Sequence, residues 1–218
     1  MNQLRTGDII MFGGTGGSSG CIRFGSLNKR WSHIGVVVRI RMPDGRDVMG
    51  LSEAYPTIIG ADLTRTGRER FHVGTQTTDL RTRLNTYKGQ VAFRRLTYGD
   101  GRPVIQQERD AWSRMYPAFL AEAEGEYTMD PIRMLQNMHH HDDDLTGKAY
   151  VCTGWAARIL QRFGILTRVD IEGQRLEWGN FTLMDFSDLG HLAFTKNAKF
   201  EEIFAYDRVH FIVGRAGT

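Results

Sequence analysis

Residues 31–54 read WSHIGVVVRIRMPDGRDVMGLSEA, and this stretch decides the fold. Ile34 to Met42 is rich in β-branched residues and ends in alternation, the pattern of a strand. Pro43-Asp44-Gly45 is a turn signal, and Val48 to Ala54 returns as the partner strand. The three pieces together predict a β-hairpin. Upstream, Asp8 to Phe12 (DIIMF) is a short apolar run consistent with a buried strand. It is followed by GGTGGSSG, Gly13 to Gly20, a flexible loop that permits close backbone approach. That loop lacks the Lys-Ser/Thr ending of a phosphate-binding loop, which argues against nucleotide binding. Cys21 to Lys29 has the length of one or two helical turns.

Downstream of the hairpin, Arg65 to Arg83 is polar and irregular and reads as a long surface excursion. Gln90 to Leu96 reads as a further strand. Val104 to Glu124 carries Trp112, Met115, Tyr116, Phe119 and Leu120 at helical spacing, with Pro117 expected to kink or break the helix. Asp130-Pro131 starts a second helix reaching Met138, with Pro131 at its first position. Tyr150 to Phe163 (YVCTGWAARILQRF) reads as an amphipathic helix stopped by Gly164. Val209 to Val213 is a short final strand. Strands early, helices in the middle and a late strand make an α+β domain.

The bulk composition fits this. A chain of 218 residues suits a single domain, here 1–218, with a candidate insertion or lid at 65–83 and a polar loop at 139–147. A net charge of +3 is far short of the footprint of a dedicated nucleic-acid binder, so no specific nucleic acid is expected. Two cysteines, Cys21 and Cys152, are too few for a disulfide scaffold. The N-terminal residues show no basic region followed by a long apolar stretch, and no run approaches the length of a membrane span. The expectation is a soluble, cytoplasmic chain without a transmembrane segment, which could act elsewhere after lysis or as part of a particle.

Three residues could share one piece of chemistry. Cys152 lies at or near the start of a predicted helix, where unpaired backbone N–H groups and the helix dipole favour a thiolate. The same N–H groups can stabilise an oxyanion. His33 stands at the start of the strongest strand, where its imidazole could accept the thiol proton. Glu53, on the return strand, could orient the ring through its second nitrogen. Each also fits an ordinary role alone: a small core thiol, a structural histidine, a surface carboxylate. Trp31 and Tyr150 flank the pair in sequence and either line the cleft or simply pack.

The order TGDIIMF, Gly/Ser loop, CIRFGS, WSHIGVVV, LSEA and, after a long gap, YVCTGWAARIL resembles the circularly permuted papain-like amidases of the NlpC-like superfamily. That branch includes relatives of lecithin retinol acyltransferase. The resemblance is densest over residues 5–54 and 148–166. It implies a permuted papain-like fold, with an antiparallel sheet packed on the cysteine-bearing helix. It also implies a catalytic group made of Cys152, His33 and Glu53, and no cofactor or metal. The histidine precedes the cysteine, as in the permuted branch. Many relatives place Ser-Glu directly after the cysteine, whereas this chain has Thr153-Gly154, so any role of that glutamate is lost or moved. In the same comparison Cys21 occupies a variable site and is a bystander.

The chemistry implied is hydrolysis of an amide or peptide bond through a thioester, on a cell-wall peptide or a lipid-like amide. Two other readings use the same residues differently. An acyltransferase would pass the thioester to an amine or alcohol, and a degenerate binding or particle-associated module would have lost the chemistry. A fourth reading takes His139, His141 and one aspartate of the His139–Asp144 run as ligands of a divalent cation. No distant ligand pair completes such a motif, and a polar loop before the cysteine helix is the simpler expectation. His191 and His210 belong to no pattern.

Overall fold

The computed structural model describes residues 4–14, 30–55, 60–67, 71, 73–123, 126–127, 149–167, 181–187, 192, 194–195, 198–202 and 204–205. The expected helices at 21–29 and 130–138, the 139–144 run, Cys21 and the strand at 209–213 lie outside them.

The hairpin forms as its residues dictate. β2 (His33–Arg41) and β3 (Asp47–Tyr55) pair antiparallel in a register running from Val36↔Ser52 to Arg41↔Asp47. The turn closes with Gly45 N–H donating to the Met42 carbonyl (2.9 Å) and Met42 N–H donating to the Arg46 carbonyl (2.8 Å). Gly45 has φ +85°, the left-handed residue that completes a three-residue hairpin turn.

Around the hairpin a six-stranded sheet assembles. It adds β1 (Ile9–Gly13), β4 (Gly74–Asp79), β5 (Gln90–Arg94) and β10 (Phe204–Ala205), in the order β10-β5-β1-β2-β3-β4. Every neighbour pair in it is antiparallel. β6 (Leu96–Tyr98) pairs antiparallel with β9 (Ala198–Phe200), and β7 (Glu126–Tyr127) pairs parallel with β8 (Ala149–Tyr150). Among the described residues the helices are α1 (Leu80–Thr86), α2 (Gln106–Ala123) and α3 (Cys152–Arg162). The architecture is α+β, built on an antiparallel sheet with few helices.

Side-chain alternation divides the sheet into two apolar faces. Ile9, Met11, Ile34, Val36, Val38, Ile40, Ala54 and Ala92 face a large core shared with α2 and α3. Ile10, Phe12, Val37, Leu51, Val91 and Phe93 face a smaller one closed by Leu80 and Leu84 of α1. Burial on both faces is why the early strands read as continuous apolar runs. α3 lies against β2 and β3. It ends on Gly164 (φ +70°), with Ile165 N–H bonding the Leu160 carbonyl (2.8 Å) and Gly164 N–H bonding the Gln161 carbonyl (3.0 Å). This is the glycine stop expected from sequence, in its Schellman form.

Two expectations need correction. The stretch 65–83 is not a surface excursion or lid throughout. Residues 74–79 are the β4 strand, and 80–83 open α1, which packs on β3 and β4. The strand GTQTTD is polar yet buried at five of its six positions; Thr77 Oγ1 bonds Tyr116 Oη, and Thr75 and Gln76 have partners of their own. Pro117 does not break α2, which runs unbroken from Gln106 to Ala123. The buried stripe is Arg109, Trp112, Tyr116, Phe119 and Ala123, and Pro117 sits on the exposed side.

A buried ion pair ties α2 to the start of the chain. Arg109 Nη1 donates to Asp8 Oδ1 (3.0 Å) and to the Thr6 carbonyl (2.6 Å), and Nη2 donates to the Leu96 carbonyl (2.9 Å). Asp8 also accepts from the backbone N–H groups of Arg5 (2.8 Å) and Leu96 (3.1 Å). Among the described residues no helix is long and apolar enough to cross a membrane.

Candidate active site

The site is assembled at one end of the hairpin. His33 is the first residue of β2 and pairs with Phe12 of β1. Continuing the β2–β3 register past Val36↔Ser52 sets His33 opposite Tyr55 and diagonal to Glu53. The side chains follow: the His33 and Tyr55 rings meet edge-on at 4.8 Å, and His33 Nε2 lies 2.6 Å from Glu53 Oε2. The expectation that Glu53 faces the start of the histidine strand is met by this diagonal contact.

The β2–β3 ladder stops at Val36↔Ser52, whereas β1–β2 continues to Phe12↔His33 and β3–β4 to Tyr55↔Gly74. The sheet therefore parts between β2 and β3 at the His33 end. His33 and Glu53 belong by alternation to the α1 face, while Cys152 belongs to the core on the α3 face. Cys152 nevertheless comes near enough to His33 for its charge and hydrogen-bonding to act on the imidazole. With Nε2 committed to Glu53, Nδ1 is the ring nitrogen left for the sulfur.

Cys152 is the first residue of α3. The preceding Val151 is extended (φ −96°, ψ 163°), and no side chain caps the helix. The first backbone N–H groups of a helix have no intrahelical partner, so this end offers donors and the positive end of a dipole beside the sulfur. Cys152 is 5% exposed, His33 7% and Glu53 0%, so the charges in the site are poorly screened by water.

Burial alone would push the His33 imidazole down. The charge and hydrogen bond of Cys152, and then those of Glu53, outweigh burial and raise its pKa to about 9. Burial would likewise raise the Glu53 carboxyl. The charge of Arg83, with hydrogen bonds from His33 and Arg83, holds it below its ordinary value. The arrangement can hold a proton on the imidazole, with an ionised carboxylate behind the ring.

Arg83 was not singled out in the sequence. It lies in α1 with its side chain 4% exposed, and its fork grips Glu53: Nε to Oε1 at 2.8 Å and Nη2 to Oε2 at 3.2 Å. A signal for this helix was present. Asp79 caps it by accepting from Thr82 N–H (2.7 Å), and Leu80 and Leu84 stand one turn apart on its buried face. Ser52 was also passed over. Its Oγ accepts from Tyr116 Oη (2.6 Å) and Trp155 Nε1 (2.9 Å), while Thr77 Oγ1 lies 2.6 Å from Tyr116 Oη. This network binds β3 to α2 and α3 directly behind Glu53.

Trp31 is packed in the core on the α3 face, with the Arg30 guanidinium 4.8 Å from its ring centroid. Tyr150 falls in β8, at the foot of α3. Among the described residues no three of His, Cys, Asp and Glu cluster as a cation site requires. No family model matches the chain, and no curated protein matches its sequence.

Proposed function

We propose that this protein is a cysteine hydrolase of permuted papain-like fold, which cleaves an amide or peptide bond through a thioester. One observation carries the reading: a helix-start cysteine acts on an imidazole that a buried carboxylate holds at 2.6 Å. Three separate elements, β2, β3 and α3, converge to make it. A core histidine needs no such company.

The steps follow from the geometry. The Cys152 proton passes to His33, and the thiolate attacks the carbonyl carbon of the substrate. Negative charge forms on the carbonyl oxygen, and the N–H groups at the start of α3 stabilise it. The intermediate collapses with cleavage of the C–N bond, and His33 delivers its proton to the leaving amine. The acyl group is now a thioester on Cys152. Water attacks that carbonyl while His33 takes its proton, the C–S bond breaks, and the acid leaves. Glu53 holds the ring in one orientation throughout and stabilises the imidazolium. The resemblance to NlpC-like amidases suggests a cell-wall peptide or a lipid-like amide as substrate.

The test is the pH dependence of Cys152 alkylation by iodoacetamide in a Cys21→Ser background, with and without His33→Ala. An ordinary thiol titrates near pH 8.5. We expect rapid alkylation at pH 6 that is lost with His33. Slow alkylation at pH 6 in both proteins sinks the hydrolase reading.

A further inference from the structure

Glu53 cannot stabilise an imidazolium unless it is itself charged, and a fully buried carboxyl with one histidine partner tends to take up a proton. Arg83 addresses both its charge and its aim. Its fork engages Oε1 and Oε2, so Oε2, the atom that meets His33 Nε2, is held from two sides. The guanidinium is held in turn by three rings: Phe12 at 4.4 Å, Tyr55 at 5.2 Å and Tyr87 at 5.2 Å. Phe12 and Tyr55 also wall the imidazole, at 5.6 Å and 4.8 Å between centroids. Guanidinium, carboxylate and imidazole thus share one aromatic slot that ends at Cys152. Among the described residues, the titratable groups facing this slot are Cys152 from α3, Tyr55 from β3, Tyr87 just after α1, and the three members themselves.

We propose that Arg83 is a positioning residue for the thiol–imidazole pair, acting through Glu53. The proposal rests on the cysteine-hydrolase reading above. Arg83 keeps Glu53 ionised and aims Oε2 at the ring, so that His33 retains the thiol proton at neutral pH. A plain tether between α1 and β3 would use the same bonds, but it would change stability without changing the chemistry of the sulfur. Lysine cannot replace the fork, because an ammonium lacks the planar paired donors.

The experiment measures alkylation of Cys152 by iodoacetamide from pH 5 to 10 in the full chain carrying Cys21→Ser, with a melting curve for each variant. The variants are Arg83→Met, Arg83→Lys, Glu53→Gln, and Arg83→Met with Glu53→Gln. We expect Arg83→Met to lower the rate at pH 6 by about tenfold, the equivalent of one pKa unit, and Arg83→Lys to recover part of it. In the Glu53→Gln background Arg83→Met should add nothing. If Arg83→Met does not fold, Arg83→Lys carries the test, since it keeps the buried charge and loses only the fork. A parent-like or faster rate in the folded Arg83 variants overturns the proposal, as does an equal loss in the Glu53→Gln background. A parent that alkylates slowly at pH 6, with or without His33, overturns the hydrolase reading and this proposal with it. A fast parent with an indifferent Arg83 overturns this proposal alone.

Discussion

Ser52→Ala probes how the site is held in place. Ser52 is fully buried, and its oxygen is the shared acceptor for Tyr116 Oη (2.6 Å) and Trp155 Nε1 (2.9 Å). Tyr116 still has Thr77 Oγ1 at 2.6 Å and can turn its proton toward it. The indole N–H loses this acceptor inside a closed core, and removing the acceptor of a buried donor costs about 1–3 kcal/mol. The void left by one oxygen is too small to hold water. We therefore expect a loss of about 2 kcal/mol, which for a chain of this size is a fall in Tm of roughly 4–8 °C. Urea unfolding followed by tryptophan fluorescence gives the value from the shift in midpoint at constant slope. Trp155 stands one helical turn beyond Cys152, so the same variant should also slow alkylation at pH 6 where it is fully folded. A loss under about 0.5 kcal/mol, the range of indifferent surface changes, refutes the reasoning that this network fixes α3 on β3.

Two further outcomes follow from buried charge. The folded pKa of His33, about 9, lies above its ordinary 6.5, so its contribution to stability is complete below about pH 6.5 and is lost as pH rises through 9. Unfolding free energy should fall across that window by no more than the one-proton slope of about 1.4 kcal/mol per pH unit, lowering Tm with it, and a Tm in His33→Ala that falls just as steeply counts against the assignment. Asp8→Asn leaves the guanidinium of Arg109 buried without its counter-charge and should cost about 3–5 kcal/mol, measured by urea unfolding; a cost under 1 kcal/mol shows the pair to be dispensable.

The parts legible in the sequence are those whose signals are local. The hairpin announces itself through β-branched residues and Pro43-Asp44-Gly45, and the cysteine helix through its periodicity and Gly164. His33 and Glu53 were legible together because the turn fixes which residues of two strands meet. β4 and α1 were not, because threonines and Gln76 fill positions where hydrophobic residues mark a buried strand, and the hydrogen bond of Thr77 is long-range. Arg83 looked like solvated surface charge. Its burial depends on Glu53, thirty residues earlier, and on three rings from separate elements. Ser52 was hidden for the same reason: its partners lie 64 and 103 residues away.

The turn at Pro43-Asp44-Gly45 stands a full strand from the site, roughly 26 Å for the length of β2. It nonetheless sets the parity of everything at the far end. Adjacent residues of one strand point to opposite faces, so a slip of one residue in β3 would exchange Ser52 and Glu53. The hydroxyl would meet His33 and Arg83, and a carboxylate would be thrust among the indole and phenol behind the sheet. Both networks would fail at once. The hairpin thus proofreads itself: a chain that misaligns the imidazole also forfeits its own core, so an inert but stable misfold has no place to rest.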